Sequence, residues 1–249
     1  MAFTTVGYYE SQAADGLTLV AAMTDQHVNV SGDNIRVPGF ASRLMLSYAA
    51  GINILNARIE TPTLQAGFTP DLAPLNVGAT EPITPAPIVS FLPNGLQLTP
   101  GEDMRVYVDN ADNAEPQYVF NWLYDKIDAL PPGPINTVKA TGATTAVANT
   151  WTICPLTFAQ QLPAGRYAIA GLRVMGATCV AARLVIPGSP FRPGTLGNDL
   201  MSDMVSDIFR NGKLGNWGEF EHTYPPQIEI ACTAADTAQT VFIDLVGPF

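Results

Sequence analysis

Short apolar runs, many alternating with polar residues, repeat along the whole chain, and 21 Gly and 21 Pro fall between them. Period-2 alternation in β-branched and aromatic runs bounded by turn residues is the pattern of strands in a sandwich or barrel. It predicts strands over Leu17–Met23, Leu44–Ala49, Ile52–Ile59, Met104–Asp109, Tyr118–Leu123, Thr150–Cys154, Tyr167–Met175, Cys179–Ile186, Gln227–Thr233 and Thr240–Val246. One segment has helical spacing instead. With Asn198 or Asp199 as N-cap, Leu200, Met201, Met204, Val205, Ile208 and Phe209 share a face, and Gly212 supplies a C-cap. A shorter helix is predicted over Tyr124–Leu130, stopped by Pro131, Pro132, Gly133 and Pro134. The fold class is all-β, with one or two short helices in loops.

An internal repeat sets the organisation. Arg43–Tyr48 and Asn56–Pro62 match Arg166–Gly171 and Ala181–Pro187 at offsets of 123 and 125. Met104–Val108, Asp112 and Gln117–Leu123 match Ile228–Cys232, Asp236 and Gln239–Leu245 at offsets of 124, 124 and 122. Two blocks in the same order, each shifted by half the chain, predict a duplicated β-sandwich. Each block reads as a strand pair around a short turn, so each half would end on a hairpin whose last strand carries Val-Phe. The predicted domains are 1–130 and 136–249, joined by a Pro-rich linker at 131–135. Between the blocks the halves differ: Gly67–Pro93 is a Pro-rich loop where Pro190–Trp217 carries the predicted helix.

Composition narrows the function. Of 249 residues 47% are hydrophobic and 14% charged, well below the usual quarter. Much of the surface must be neutral, which favours burial against copies or partners. Twelve Lys+Arg against 22 Asp+Glu give a formal charge of −10 with no basic run, so direct binding of nucleic acid is not expected. Neither a transmembrane helix nor a signal peptide is visible, and the chain is expected to be soluble.

Catalytic chemistry finds few candidates. Cys154, Cys179 and Cys232 lie in strand-like settings without C-x-x-C spacing and read as buried reduced thiols. His27 and His222 are the only histidines. Glu219, Glu221 and His222 could supply metal ligands, but a solvated loop is the simpler reading. Asp109, Asp112 and Glu115 are spaced by threes, unlike an EF-hand loop, and read as a turn. Gly212-Lys213 lacks the earlier glycine of a phosphate loop, and no nucleophile elbow or paired-His motif is present. Trp122 and Trp151 read as core. Trp217, between Asn216 and Gly218, reads as the better contact residue. No catalytic residue, cofactor site or metal site is expected.

The repeat, the strand-rich halves and the length together resemble the double-jelly-roll major capsid proteins of tailless icosahedral viruses, the lineage that includes tectivirus, corticovirus and adenovirus shells. The resemblance covers nearly the whole chain as architecture and carries no residue motif. It implies two tandem jelly-roll domains and a viral structural protein of the virion, made in the host cytoplasm. It also implies a homotrimer that presents six similar barrels as a pseudo-hexagonal tile. Neighbouring trimers, minor capsid proteins or an internal membrane would be its partners. The rival reading is a tandem β-sandwich that binds carbohydrate, or a two-jelly-roll hydrolase.

Overall fold

The computed structural model describes residues 3–13, 16–51, 54–65, 71–72, 75–76, 88–110, 115–142, 145–198 and 207–249. The chain divides into two compact units, Thr5–Asp125 and Lys126–Phe249, the second joined by Met1–Thr4.

The N-terminal unit contains, in chain order, β1 (Phe3–Ala13, of which Phe3 and Thr4 belong to the other unit), β2 (Gly16–Leu19), β3 (Val30–Ser31), β4 (Asn34–Arg36), β5 (Arg43–Gly51) and β6 (Ile54–Glu60). There follow β7 (Asp71–Leu72), β8 (Leu75–Asn76), β9 (Val89–Ser90), β10 (Leu96–Gln97), β11 (Asp103–Asn110) and β12 (Glu115–Tyr124). One sheet has the order β1-β12-β5-β10; the other runs β2-β11-β6-β7, with the small β3–β4 hairpin on the same edge of β11. Between them lies an apolar core including Val6, Tyr8, Leu44, Ile59, Val106 and Val119. The Tyr8 hydroxyl donates to the Met104 carbonyl at 2.8 Å, so a polar tip inside this core is satisfied.

The C-terminal unit repeats that order. It comprises β13 (Ile135–Gly142), β14 (Thr152–Cys154), β15 (Leu156–Phe158), β16 (Arg166–Met175), β17 (Cys179–Val185), β18 (Gly194–Asn198), β19 (Glu219–Glu221), β20 (Gln227–Cys232) and β21 (Thr240–Val246). Its strands align as β13-β21-β16-β19 and β14-β20-β17-β18. Both units therefore have the jelly-roll strand order. In β13 the alternation is plain: Val138 and Ala140 are buried while Thr137, Lys139 and Thr141 face outward.

Strand registers place the duplication residue by residue. Leu123 pairs with Leu44 and Leu245 with Ile169; Arg58 pairs with Tyr107 and Arg183 with Glu229. With Leu123 matched to Leu245, β5 and β6 map onto β16 and β17 at an offset of 125, and β11 and β12 map onto β20 and β21 at 122. The β-bulges coincide as well. One inserts Met45 opposite the Trp122/Leu123 step, and its counterpart inserts Ala170 opposite Asp244/Leu245. An irregularity kept at the same place in both halves is a stronger mark of common origin than the strand count.

Several expectations change. Arg43 corresponds to Ala168 rather than Arg166, and Val106 rather than Met104 corresponds to Ile228, because the ladders shift each match by two residues. A two-residue slip keeps every side chain on its face, so the hydrophobic pattern does not detect it. Neither repeated block is a hairpin. In each, the turn carries the chain from one sheet to the other, β5 pairing with β12 and β6 with β11. The dissimilar loops also share strand pieces: Ala57 pairs with Leu72 and Ala50 with Leu75, as Ala182 pairs with Thr195 and Met175 with Asn198.

No helix forms over Tyr124–Leu130. Tyr124 ends β12 opposite Arg43, its carbonyl accepts from Ser42 N–H at 3.0 Å, and the Asp128 carbonyl accepts from Asn216 N–H at 2.9 Å. Seven residues are too few to nucleate a helix against such competition. The helix predicted after Asn198 falls largely on residues 199–206, outside the described residues. What is described is a 3-10 turn at Asp207–Phe209, followed by Gly212 at φ +74°. A helical turn not expected from the pattern, α1 (Pro62–Gln65), is capped by the Thr61 hydroxyl, which accepts from Leu64 N–H at 3.1 Å.

Candidate functional site

The acidic and histidine side chains singled out by the sequence do not converge. Glu219 and Glu221 bound β19, and Glu219 is held by Arg166 at 2.7 Å and by the Asn216 amide at 3.2 Å. His222 turns instead to the backbone: its Nδ1 accepts from Gly165 N–H at 3.2 Å, and its own N–H donates to the Gly165 carbonyl at 3.0 Å. Glu221 is exposed. His27 sits in the other unit, its N–H bonded to Asp25 at 2.7 Å. Asp109 is the last residue but one of β11 and Glu115 begins β12, whereas Asp112 lies outside the described residues. Among the described residues no group of three metal-ligating side chains comes together. Gly212 donates to the Ala170 carbonyl at 2.7 Å, and Lys213 pairs with Asp207.

Trp217 is the main correction at side-chain level. It is 1% exposed, edge-on to Phe3 at 5.0 Å and to Phe209 at 6.5 Å, so it is a core residue and not a contact residue. Its neighbours Asn216 and Gly218 do form a turn, with Gly218 N–H donating to the Asn216 side chain at 3.0 Å. A loop that closes over a sheet can bury its aromatic as fully as a strand does, and this turn drives the indole inward. Trp122 is fully buried. Trp151 is half-buried, with the Arg183 guanidinium 4.3 Å from its ring centre.

The segment leading to Trp217 is held by a polar hub that sequence reasoning missed. Asp244, buried on β21, accepts from Arg210 Nε and Nη2 at 2.7 Å each, from the Thr137 hydroxyl at 2.7 Å and from Asn211 N–H at 2.9 Å. Burial by itself would raise its carboxyl pKa. The Arg210 guanidinium, the Asn211 N–H and the Thr137 hydroxyl outweigh that and hold it below the usual carboxylate range. The hub pins the Asp207–Trp217 segment to the sheet, and Gly171 makes room for it: a Cβ there would lie 2.6 Å from the Phe209 carbonyl oxygen and 2.7 Å from Asp244 Oδ2.

A second buried pair joins Arg183 Nε to Glu229 Oε2 at 2.5 Å, across β17 and β20. Arg58, its counterpart by register, pairs with Glu60 at 3.0 Å and stands over Tyr107, but remains partly exposed. Asp244 and Glu229, alternating among apolar residues, carry no sequence mark that separates a buried ion-pair partner from a solvated one. The three cysteines are buried, with Cys179 opposite Cys232 in the ladder. Burial pushes the Cys179 thiol far above its ordinary value and the Cys232 thiol up to about 12.

The N-terminal unit has a hollow of about 250 Å³ lined by Glu60, Asp103 and Arg105, among others, and one of about 450 Å³ beside His27 and Arg36; two more open on the C-terminal unit. At one corner of the C-terminal unit a groove of about 420 Å³ is lined by Phe158, Leu162, His222 and Pro225, among others. A second, of about 490 Å³, shares Pro225 and runs past Leu156, Val185, Pro187 and Tyr224. Neither brings two carboxylates together.

No known protein family matches the chain, and no curated protein does. Among solved structures it is similar to the major capsid protein P2 of bacteriophage PM2, at 10% identity over 99% of this chain and 98% of that one, with a TM-score of 0.25. That score is too low for the likeness to bear weight; the strand pairing and the surface chemistry stand by themselves.

Proposed function

We propose that this chain is a viral major capsid protein that assembles as a homotrimer. The observation that carries the reading is the duplication: two jelly-roll units in one chain, with the same strand order and the same bulge. Three such chains around an axis place six similar units in a ring, and alternating heterologous contacts close it. A pseudo-hexagonal tile of that kind fills a lattice, which gives tandem duplication a physical use. The low charge supports the same reading, because uncharged surface is a liability on a monomer and an asset between subunits. Trimers would then contact further trimers in a virion shell, with minor capsid proteins or an internal membrane beneath. Each unit would be a domain, divided near Pro131–Pro134.

Sedimentation of the purified protein at micromolar concentration tests this. A species of three times 26.5 kDa is expected. It should persist near 1 M salt, where the Debye length is about 3 Å and exposed ion pairs are screened. A monomer at both low and high salt would remove the capsid reading and leave the duplicated fold untouched.

A further inference from the structure

The two grooves that meet at Pro225 belong to one patch at an end of the C-terminal unit. Tyr224, 70% exposed, is the most exposed large apolar residue described. Phe249, 55% exposed, ends a segment tied to the same corner: its N–H and carbonyl both bond to the backbone of Arg166, next to Gly165 and therefore to His222. A Cβ on Gly165 would lie 2.6 Å from Pro248, so the C-terminal segment lies close against this turn. No Asp, Glu, Lys or Arg lines either groove.

The patch thus has two protruding aromatics beside two hollows that no Asp, Glu, Lys or Arg lines, in a chain of formal charge −10. A basic partner would be met by the acidic surface elsewhere, and an acidic partner repelled by it. A second copy carries the same excess negative charge, so two copies approach with least repulsion through hollows that no charged side chain lines, the neighbouring Arg166 being already paired with Glu219. Knobs and hollows side by side on one patch are what a two-fold, isologous contact needs, each copy lending its aromatics to the other.

We propose that this end of the C-terminal unit is a self-contact, docking two-fold against the same end of another copy, with Tyr224 and Phe249 seated in the grooves on either side of Pro225. Such a contact would join one trimer to the next. It draws on the capsid reading for that role alone, since a two-fold contact between copies is defined without it.

Because Cys154, Cys179 and Cys232 are buried, Tyr224→Cys introduces the accessible thiol, and a short bismaleimide reports whether two of them meet. At micromolar protein, Tyr224→Cys should give a covalent dimer at least tenfold faster than Leu17→Cys, a control at an exposed position of the other unit. Adding Phe249→Asp to Tyr224→Cys should abolish that excess. Circular dichroism and the native mass of each variant guard against loss of fold. Cross-linking no faster than in the control overturns the proposal, and so does an excess that survives Phe249→Asp. The native mass separates the two readings. A trimer without the cross-link removes this contact alone; a cross-linked protein that sediments as a dimer removes the trimer and keeps the contact.

Discussion

Replacing Asp244 by Asn isolates the energetics of the hub. The side chain is fully buried, and both its oxygens accept: Oδ1 from Arg210 Nη2 and Thr137, Oδ2 from Arg210 Nε and Asn211 N–H. Asparagine has nearly the same shape, but whichever way its amide turns, its NH₂ faces an N–H that cannot accept: Arg210 Nη2 on one side, Arg210 Nε and Asn211 N–H on the other. Arg210, 16% exposed, is left without its counter-charge. Removing one member of a buried, hydrogen-bonded ion pair costs about 3–5 kcal/mol. Urea unfolding at pH 7, followed by circular dichroism, should show a loss of that size. Acid adds a second test. The folded-state pKa of Asp244 is depressed, so as pH falls the unfolded chain takes up the proton first, near the ordinary carboxylate value of about 3.9. The hub's contribution is therefore complete above about pH 5 and shrinks as pH falls through the folded pKa, and the gap between wild type and D244N should narrow from pH 5 to pH 3. A D244N protein within 1 kcal/mol of wild type at pH 7, a small loss on the scale of about 3–5 kcal/mol, would refute the hub. A gap that stays constant down to pH 3 would refute its linkage to acid.

Gly171→Ala should disturb the same hub from the other side, lowering the urea midpoint and exposing Trp217 to quencher, since its Cβ would meet Phe209, Arg210 and Asp244. Arg183→Ala should cost about 3–5 kcal/mol by leaving Glu229 buried without its charge partner, whereas the double change Arg183→Met, Glu229→Leu should come close to neutral in the same unfolding assay. Phe120→Ala should cost about 3–5 kcal/mol and Phe242→Ala clearly less, because Phe120 is fully buried while the equivalent Phe242 is half-buried with Arg173 over its ring. Thiol titration of the native protein should find Cys154, Cys179 and Cys232 unreactive, and urea should release all three.

Alternation and turn residues made most long strands legible. Thr240–Val246 is found with the predicted bounds, and Tyr167–Met175 begins one residue earlier. Partner choice was not legible, because an alternating strand exposes the same face whether it pairs along its own turn or across the sandwich. That is why β11 and β12 read as a hairpin. The strands β1 and β13 escaped notice for a related reason. β13 buries only Val138 and Ala140, too little apolar side chain to mark a strand before its partner β21 is known. The same holds for the site: Trp217 looked like a loop residue because its neighbours suit a turn, and the cover supplied by Phe3, more than 200 positions away, has no local signal.

Strand β18 has a mechanical consequence. Its first residues pair antiparallel with β17 and its last pair parallel with β16, so it leaves one face of the sandwich and enters the other without a break. Layers held by side-chain packing alone resist compression well and sliding poorly. Here peptide hydrogen bonds join the layers into one nine-stranded network, and a sideways load on either face passes into the other along the backbone. In a wall of such units, shear would be carried by the chain itself, and the amides of β16, β17 and β18 should exchange their hydrogens together instead of layer by layer.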